Sequence, residues 1–391
     1  MVTARDFDLI LQGATGFTGR LAAAELARRA PAGLRWAVAG RDDSRVAELA
    51  DHLGVSGVVA DGLDEAAVDR LAARSRVVLS CAGPFSRYGT PLVEACVRHG
   101  THYGDLTGEM PWIRELIDQH HEACSAAGTT LVPTSGFDCV PTDLAVQAMA
   151  ASLPEPAPIT GFFQVRGGLN GGTLASGMHL YERWTPADFA HPYLLDPQPR
   201  ASLRAAPPHP GRGFVFPVPA LKGWGAPFLM SPVNERVTRR SAALLAEDGQ
   251  GYGDGFRYDE HLLVGSRLRA RMMTGALGVA NGLLTRPGGR RLLRFFGPKP
   301  GKGPSERSIR DGFARLTLVA GPLEQPAAVR RWNWNGDPSN LITVRCLVQT
   351  GLALAAGEAR RGGVLTPATA LGPRLLERLT GIGAVEEAVT D

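Results

Sequence analysis

The stretch "LILQGATGFTGRLAAAELARRA", residues 9–30, restricts the fold more than any other part of the chain. "FDLILQG" is a short apolar run of β-suited residues, and "RLAAAELARRA" carries apolar residues at helical spacing among strong helix formers. Gly13, Gly16 and Gly19 stand between them. A strand, a glycine turn and a helix in this order suit a dinucleotide pyrophosphate. Gly13 permits the tight turn, Gly16 lets the backbone approach the phosphates, and Gly19 lets the helix pack on the strand. Ala14, Thr15, Phe17 and Thr18 complete the loop, and free amides at the helix start face the anion. The spacing is G-x-x-G-x-x-G rather than the strict G-x-G-x-x-G. The alternative is an ordinary glycine-rich turn between two core segments.

The alternation then repeats. "LRWAVAG", "VSGVVAD", "RVVLSCAG", "THYGDLT" and "TTLVPTSGF" read as further strands, separated by helical runs such as "RDDSRVAELADHLG" and "MPWIRELIDQHHEACSAAG". Six short apolar strands alternating with helices predict an α/β fold, a doubly wound parallel sheet. Arg41 ends the second strand, where an acid usually hydrogen-bonds the adenosine ribose. An Arg there pairs instead with a 2′-phosphate, which favours NADP(H) over NAD(H). Asp42 and Asp43 beside it suit a helix cap or a ribose contact, and a solvated Arg41 is the bland alternative. Ligands of such sheets lie beyond the C-terminal strand ends. Cys81, Ala82, Gly83 and Pro84 of "SCAGPFSRYG" are therefore expected to border the nicotinamide half, with Tyr88 of the same loop among the cofactor contacts. Cys81 reads as a small packing residue, since no His lies close in sequence to serve as its base.

Composition excludes several classes. The chain has 391 residues, long enough for two domains, with 44% apolar and 20% charged residues. Lys and Arg number 42 against 38 Asp and Glu, a net charge of +4 that gives no footprint for nucleic acid. Cys81, Cys96, Cys124, Cys139 and Cys346 are odd in number and lack CxxC spacing. Neither a disulfide frame nor a zinc or other metal site is expected, and a reducing cytoplasm is the expected compartment. The N-terminus has no signal-peptide pattern, and no run reaches the roughly 20 apolar residues of a membrane span.

A series of motifs, "GATGFTGR", "AGRD", "CAGPFSRYG", "GTHYGDLTGE" and "VPTSGFDCVPTDLA", resembles in order the saccharopine dehydrogenase-like NADP-binding oxidoreductases. "GGLNGGTLAS", "WGAPFLMSPVNERVTRRSAAL", "PKPGKGPSERSIRDG" and "GVLTPATALGPRLLERL" resemble that family's branch of trans-acting enoyl reductases, so the resemblance spans nearly the whole chain. It implies an NADP-binding Rossmann domain over residues 1–150, a second α/β (α+β) substrate domain over 151–340, and C-terminal helices over 341–391 that return to the first domain. It further implies that Gly171, Gly172 and Thr173 lie beside the nicotinamide, the alternative being an ordinary tight turn. Family members differ in what they reduce: saccharopine dehydrogenases act at a C–N bond, the enoyl branch at a C=C bond.

The residues themselves set a new character after the linker "LPEPAP". "ITGFFQVRG" begins a β region, and "GGTLASGMHLYERW" is a glycine-started helix whose first amides suit an anion or carbonyl oxygen. Residues 185–235 are rich in Pro, Gly and aromatics with little expected regular structure. Trp184, Phe189, Tyr193, Phe214, Phe216, Trp224 and Phe228 either line an apolar acyl pocket or fasten a loop to the core. "MMTGALGVANGLLTRPGGRRLLRFFGPKPGKG" joins an apolar run to Arg286, Arg290, Arg291, Arg294, Lys299 and Lys302. Residues 286–302 suit an acyl carrier protein, the phosphates of coenzyme A or an anionic membrane surface, or else form a solvated amphipathic helix.

Enoyl reduction needs hydride at the β-carbon, a donor to the thioester oxygen and a proton for the α-carbon. No Tyr-x-x-x-Lys pair is present. Asp105 and Glu109 lie past the fifth strand, Asp138 and Asp143 past the sixth, where an Asp often caps a helix. His179 and Tyr181 follow the "GGT" turn and, with Asp138, are the proton-donor candidates. The expected activity is NADPH-dependent reduction of an α,β-unsaturated acyl or polyketide-like substrate, free or carrier-bound. Two alternatives stand beside it. A saccharopine-type C–N oxidoreductase would need converging arginines, for which Arg236, Arg239 and Arg240 are the only close cluster in that region. A non-catalytic NADP-binding or membrane-surface protein would bind NADPH without turnover. No feature of the sequence sets the oligomeric state.

Overall fold

The computed structural model describes residues 5–168, 170–197, 214–254, 256–299 and 301–388. Its N-terminal part runs β1 (Phe7–Gln12), α1 (Phe17–Arg29), β2 (Trp36–Gly40), α2 (Asp43–Leu53), β3 (Ser56–Val59) and α3 (Glu65–Ala73). It continues through β4 (Ser75–Ser80), the single turn α4 (Phe85–Tyr88), α5 (Thr90–His99), β5 (His102–Asp105), α6 (Met110–Ala127), β6 (Thr130–Val132) and α7 (Val140–Ser152). The middle part holds β7 (Ile159–Arg166), α8 (Gly171–Arg183), β8 (Phe216–Val218), β9 (Gly223–Pro227), α9 (Ser231–Glu247) and β10 (Tyr258–Val264). After these come α10 (Arg267–Thr285), α11 (Pro287–Phe296), α12 (Glu306–Arg310), β11 (Phe313–Ala320) and β12 (Ala328–Asn335). The chain closes with α13 (Thr343–Ala355), β13 (Gly363–Val364), α14 (Pro367–Ala370), α15 (Pro373–Thr380) and β14 (Ala384–Ala388).

The first sheet is wholly parallel, in the order β13-β6-β5-β4-β1-β2-β3. Its central strands are apolar throughout because helices cover both faces. Leu9, Leu11, Val77 and Leu79 pack in one cluster with α1 and α13, while Ile10, Ala37, Ala39 and Val78 pack in another with α3 and α5. Successive strand residues thus serve opposite cores. β1 lies between β2 and β4, so strand order reverses there, and ligands of such sheets bind at that crevice. The sixth strand is shorter than its sequence suggests, because Pro133 follows Val132. The seventh, β13, has only two residues and leaves no periodic pattern to read.

The second sheet is mixed, in the order β14-β12-β11-β7-β10-β9-β8. β7 is its spine, parallel to β10 and antiparallel to β11. α13 lies on the first sheet, yet the chain ends as β14 paired with β12, an ending that a purely helical reading of 341–391 omits. Within 185–235 the structure has β8, β9 and the start of α9, more order than the composition suggests; residues 198–213 lie outside the described residues.

Candidate active site

The glycine loop after β1 has the shape its sequence asks for. Gly13 sits at φ +76, and a Cβ there would stand 2.9 Å from Ala82 N, so the loops after β1 and β4 touch at this point. A Cβ on Gly19 would stand 2.1 Å from Gly13 O, which closes α1 against the turn to any other residue. Gly16 is different: the nearest atom to its Cβ position is Gly13 O at 3.4 Å, so this side of the loop is open to a phosphate. α1 starts at Phe17 with no side-chain cap and no acid in its first turn, which leaves its first amides for an anion. The residues therefore fit a dinucleotide pyrophosphate.

Arg41 is exposed at the end of β2. Asp42 is the N-cap of α2, accepting from Arg45 N (3.1 Å) and Ser44 Oγ (2.9 Å), bonds that hold its carboxyl below the usual range. This accounts for the acid beside Arg41 without a ribose. Arg45 Nη2 and Arg20 Nη1 donate to Thr15 O at 2.9 and 2.7 Å, so both border the loop. The sequence reading missed Arg45. Its signal was the position one helical turn beyond Arg41.

The loop after β4 is fixed from below. Cys81 N donates to Gln12 O (2.9 Å), and the Phe85 and Ser86 amides donate to the buried Glu109 carboxylate (2.7 and 3.1 Å). Glu109 thus holds this loop in place. Burial pushes the Cys81 thiol up to about 12, which leaves no thiolate for nucleophilic work. Tyr88 packs its backbone on Gly62 in the loop after β3, away from the strands that follow β4.

At the next strand ends, Asp105 is buried and accepts from Tyr103 Oη (2.9 Å), Thr107 N (2.9 Å) and Thr134 N (3.2 Å). Burial pushes it up to about 7 despite these bonds. They hold Thr134 at φ +64, a strained value for a β-branched residue. Four residues on, Asp138 is half-buried, has no hydrogen-bond partner among the described residues, and is pushed up to about 6 by burial. It stands past β6, three strands from β1, roughly 14 Å along the sheet. It does not cap α7, whose N-cap is Cys139 without a side-chain bond. Asp143 is no cap either; it is a brace, accepting from Ser241 Oγ (2.5 Å) and Ala368 N (2.8 Å).

Elements that follow the first six strands supply the opposite wall. Ser176 Oγ lies 3.2 Å from the Cβ position of Gly83, and Arg183 Nη1 donates to Ser86 O at 3.0 Å, so one face of α8 covers the loop after β4. Gly303 rests on the Phe17 ring, where a Cβ would stand 2.1 Å from Cζ. Two of the first amides of α8 are engaged, which narrows the expected anion site: Gly171 N donates to Lys302 O (2.9 Å) and Thr173 N to the N-cap Asn170 (2.9 Å). His179 shares the α8 face of Ser176 and Arg183 by helical spacing. Its Nε2 is buried without a partner, and its Nδ1 is 3.9 Å from Glu182. Tyr181 projects elsewhere, its hydroxyl donating to Asn281 Oδ1 (3.0 Å) and its ring against Phe189.

Most of the aromatics do not form one acyl pocket. Phe228 and Phe163 pack at 4.9 Å, Phe216 joins Phe162 and His261, and Tyr193 is buried. Trp184 and Phe189 back a core cluster of the parallel sheet, Trp224 lies under Arg267, and Phe214 is exposed. The arginine cluster is likewise committed. Arg236 donates to the carbonyls of Phe189, Ala190, His191 and Pro232, Arg239 to those of Pro192 and Tyr258, and Arg240 to those of Leu195 and Val364. Together they staple residues 189–195 to α9 and leave no converging guanidinium pair for a substrate carboxylate.

Residues 9–132 match the saccharopine dehydrogenase NADP binding domain family. A Mycobacterium tuberculosis protein named for trans-acting enoyl reductases is 37% identical over 97% of both chains. The trans-acting enoyl reductases of Mycobacterium ulcerans and of Mycobacterium tuberculosis H37Rv are 34% and 33% identical over 98% and 97% of each chain. Among solved structures, the apo saccharopine dehydrogenase of Saccharomyces cerevisiae superposes with a TM-score of 0.55 at 14% identity, covering 98% of this chain and 99% of that one. Homospermidine synthase of Legionella pneumophila gives 0.53 at 11% identity, covering 99% and 92%. These two share the fold. The matched NADP-binding domain and this end-to-end identity make the chain an NADP-dependent oxidoreductase that belongs to the trans-acting enoyl reductase family.

Proposed function

We propose that the protein reduces the activated C=C bond of an α,β-unsaturated acyl thioester in the cleft between α8 and the loops after β1, β4 and β6. NADPH, when bound, supplies the hydride to the β-carbon. Gly13, Ala14, Thr15, Gly16, Phe17, Thr18 and Gly19 hold its pyrophosphate, and Arg41 with Arg45 takes the 2′-phosphate. Cys81, Ala82, Gly83 and Pro84 border the nicotinamide half, with Tyr88 supporting the far end of that loop. As charge moves onto the thioester oxygen, His179 Nε2 donates a hydrogen bond to it. Asp138, protonated over part of the working range, then gives its proton to the α-carbon, which completes the saturated thioester. Tyr181 acts as a positioning residue by tying α8 to α10.

The observation that carries this proposal is the 33–37% identity, over 97–98% of the chain, to proteins named trans-acting enoyl reductases. The engagement of Arg236, Arg239 and Arg240 with backbone carbonyls supports it against a carboxylated amino-acid substrate. The acyl group reaches the cleft tethered, on a carrier protein or at a lipid surface, with residues 286–302 as the contact. The test is NADPH oxidation by the purified protein with an α,β-unsaturated acyl thioester, with NADH as control. Turnover with the thioester and NADPH is expected. Turnover with an imine-forming keto acid and amine, and none with free or carrier-bound thioester, would return the protein to C–N chemistry.

A further inference from the structure

Residues 261–305 contain nine Arg and Lys and no Asp or Glu, in a chain whose net charge is only +4. The remainder of the protein is therefore net negative, and this local excess of positive charge lies mainly on one device. That device is the hairpin of α10 and α11, which leans on β9 and α8. Ala270 is the one buried residue of α10, and α11 has none. Leu268, Met272 and Val279 recur along one stripe of α10 and are 69%, 65% and 66% exposed. Phe295 and Phe296, at the end of α11, are 78% and 76% exposed, with Leu292 one turn before them. Arg294 pairs with Glu182, whereas Arg286, Arg291 and Lys299 have no ion pair among the described residues. No described helix is long and apolar enough to cross a membrane.

We infer that the α10–α11 hairpin docks on an anionic lipid surface, with its exposed apolar side chains at the headgroup–acyl boundary and its arginines on lipid phosphates. Cations alone would suit an acidic protein equally. Large aliphatic and aromatic side chains left in water beside them are what an interfacial helix uses, and an acid-free sequence is what an anionic leaflet selects. The position fits the chemistry next door. Gly297 packs on Leu174 of α8, Lys302 O accepts from Gly171 N, and Gly303 lies on Phe17. The strand of chain leaving the hairpin is thus a wall of the active-site cleft, and docking brings the cleft mouth to the surface. This inference does not depend on which bond the enzyme reduces.

The test is co-sedimentation of the full chain with phosphatidylcholine vesicles, with and without phosphatidylglycerol, at low and high salt. Binding to the phosphatidylglycerol vesicles that weakens in high salt is expected. Each basic side chain at such a surface strengthens partitioning on the order of fivefold, so Arg290→Glu with Arg291→Glu should reduce binding by more than tenfold. Phe295→Ser with Phe296→Ser should also reduce it by at least tenfold, because buried methylenes drive insertion. Circular dichroism melts check that both variants fold. Absence of vesicle binding, or binding that survives both pairs of changes, would overturn the inference. Retention on an immobilised acidic acyl carrier protein without vesicle binding would overturn it in favour of a carrier-docking surface.

Discussion

Gly19 and Gly16 show how differently two glycines of one loop earn their places. At Gly19 an added methyl meets a backbone oxygen at 2.1 Å, and a backbone atom cannot swing aside. Gly19→Ala is therefore expected to abolish NADPH binding, read by titration of NADPH fluorescence. Arg41 and Arg45 are the residues proposed for the other end of the cofactor. A charge-assisted bond to phosphate contributes about 1.5–3 kcal/mol, so Arg41→Ala or Arg45→Ala should raise the Kd for NADPH by roughly ten- to a hundredfold. The Kd for NADH should change little, and an equal loss for both would remove the two arginines from the 2′-phosphate. Asp138 is the residue where burial and the proposed proton transfer meet. Its acid form, held up to about 6, declines as pH rises, so kcat should fall through that range. Asp138→Asn should lower kcat by about a hundredfold and flatten that limb with KM nearly unchanged.

At the level of elements, the segment after α8 is held by cations acting on carbonyls. Arg240 is fully buried, bonded to Leu195 O and Val364 O, and burial pushes it down to about 9. Arg240→Met would take the guanidinium from both carbonyls, at about 1–3 kcal/mol for a buried acceptor left unpaired; Val364 O would keep only the His121 ring at 3.2 Å. A clear drop in Tm is expected, with NADPH affinity unchanged because the cofactor loops lie elsewhere. The same arginines mark the boundary of what the sequence discloses. The first six strands were legible because each is a short apolar run set between a helix and a turn. The glycine loop was legible because its flanks were right. Arg236, Arg239 and Arg240 looked like ligands for carboxylates because sequence shows charge but not the carbonyls that meet it. β13, two residues long, joins its sheet through β6, more than two hundred residues earlier, and β14 pairs with β12 across an intervening run of helices, so neither pairing shows in a local pattern. Asn170 as the cap of α8 was equally hidden, since it acts together with Lys302 from the far side of the hairpin.

Taken whole, the molecule is two sheets joined by one core, with α7 and α13 contributing to the cluster that also holds Ile159, Leu316 and Trp332 of the second sheet. Carboxyl groups lie at this seam. Asp143 of α7 faces Ser241 of α9 and the α14 backbone, and burial pushes it up to about 7. Glu260 of β10 accepts from Tyr258, Asn234 and Thr142, has Glu235 near it, and is pushed up to about 8. In the unfolded chain both ionise near about 4. Between about 4.5 and 8 the folded protein therefore holds protons that the unfolded chain has released, and stability falls as pH rises through the folded values. His121 works in the opposite direction. Burial beside Arg240 pushes it down to about 4, so its contribution is lost only as pH falls below about 6.5. Above that the carboxyls decide the slope. Thermal unfolding should give a lower Tm at pH about 8.5 than at about 6.5, with Glu260→Gln flattening the difference because its side chain releases no proton. A Tm that stays level across that range in the unsubstituted protein would mean that these seam carboxyls are already ionised when folded, with Tyr258, Asn234 and Ser241 stabilising the charge rather than the proton.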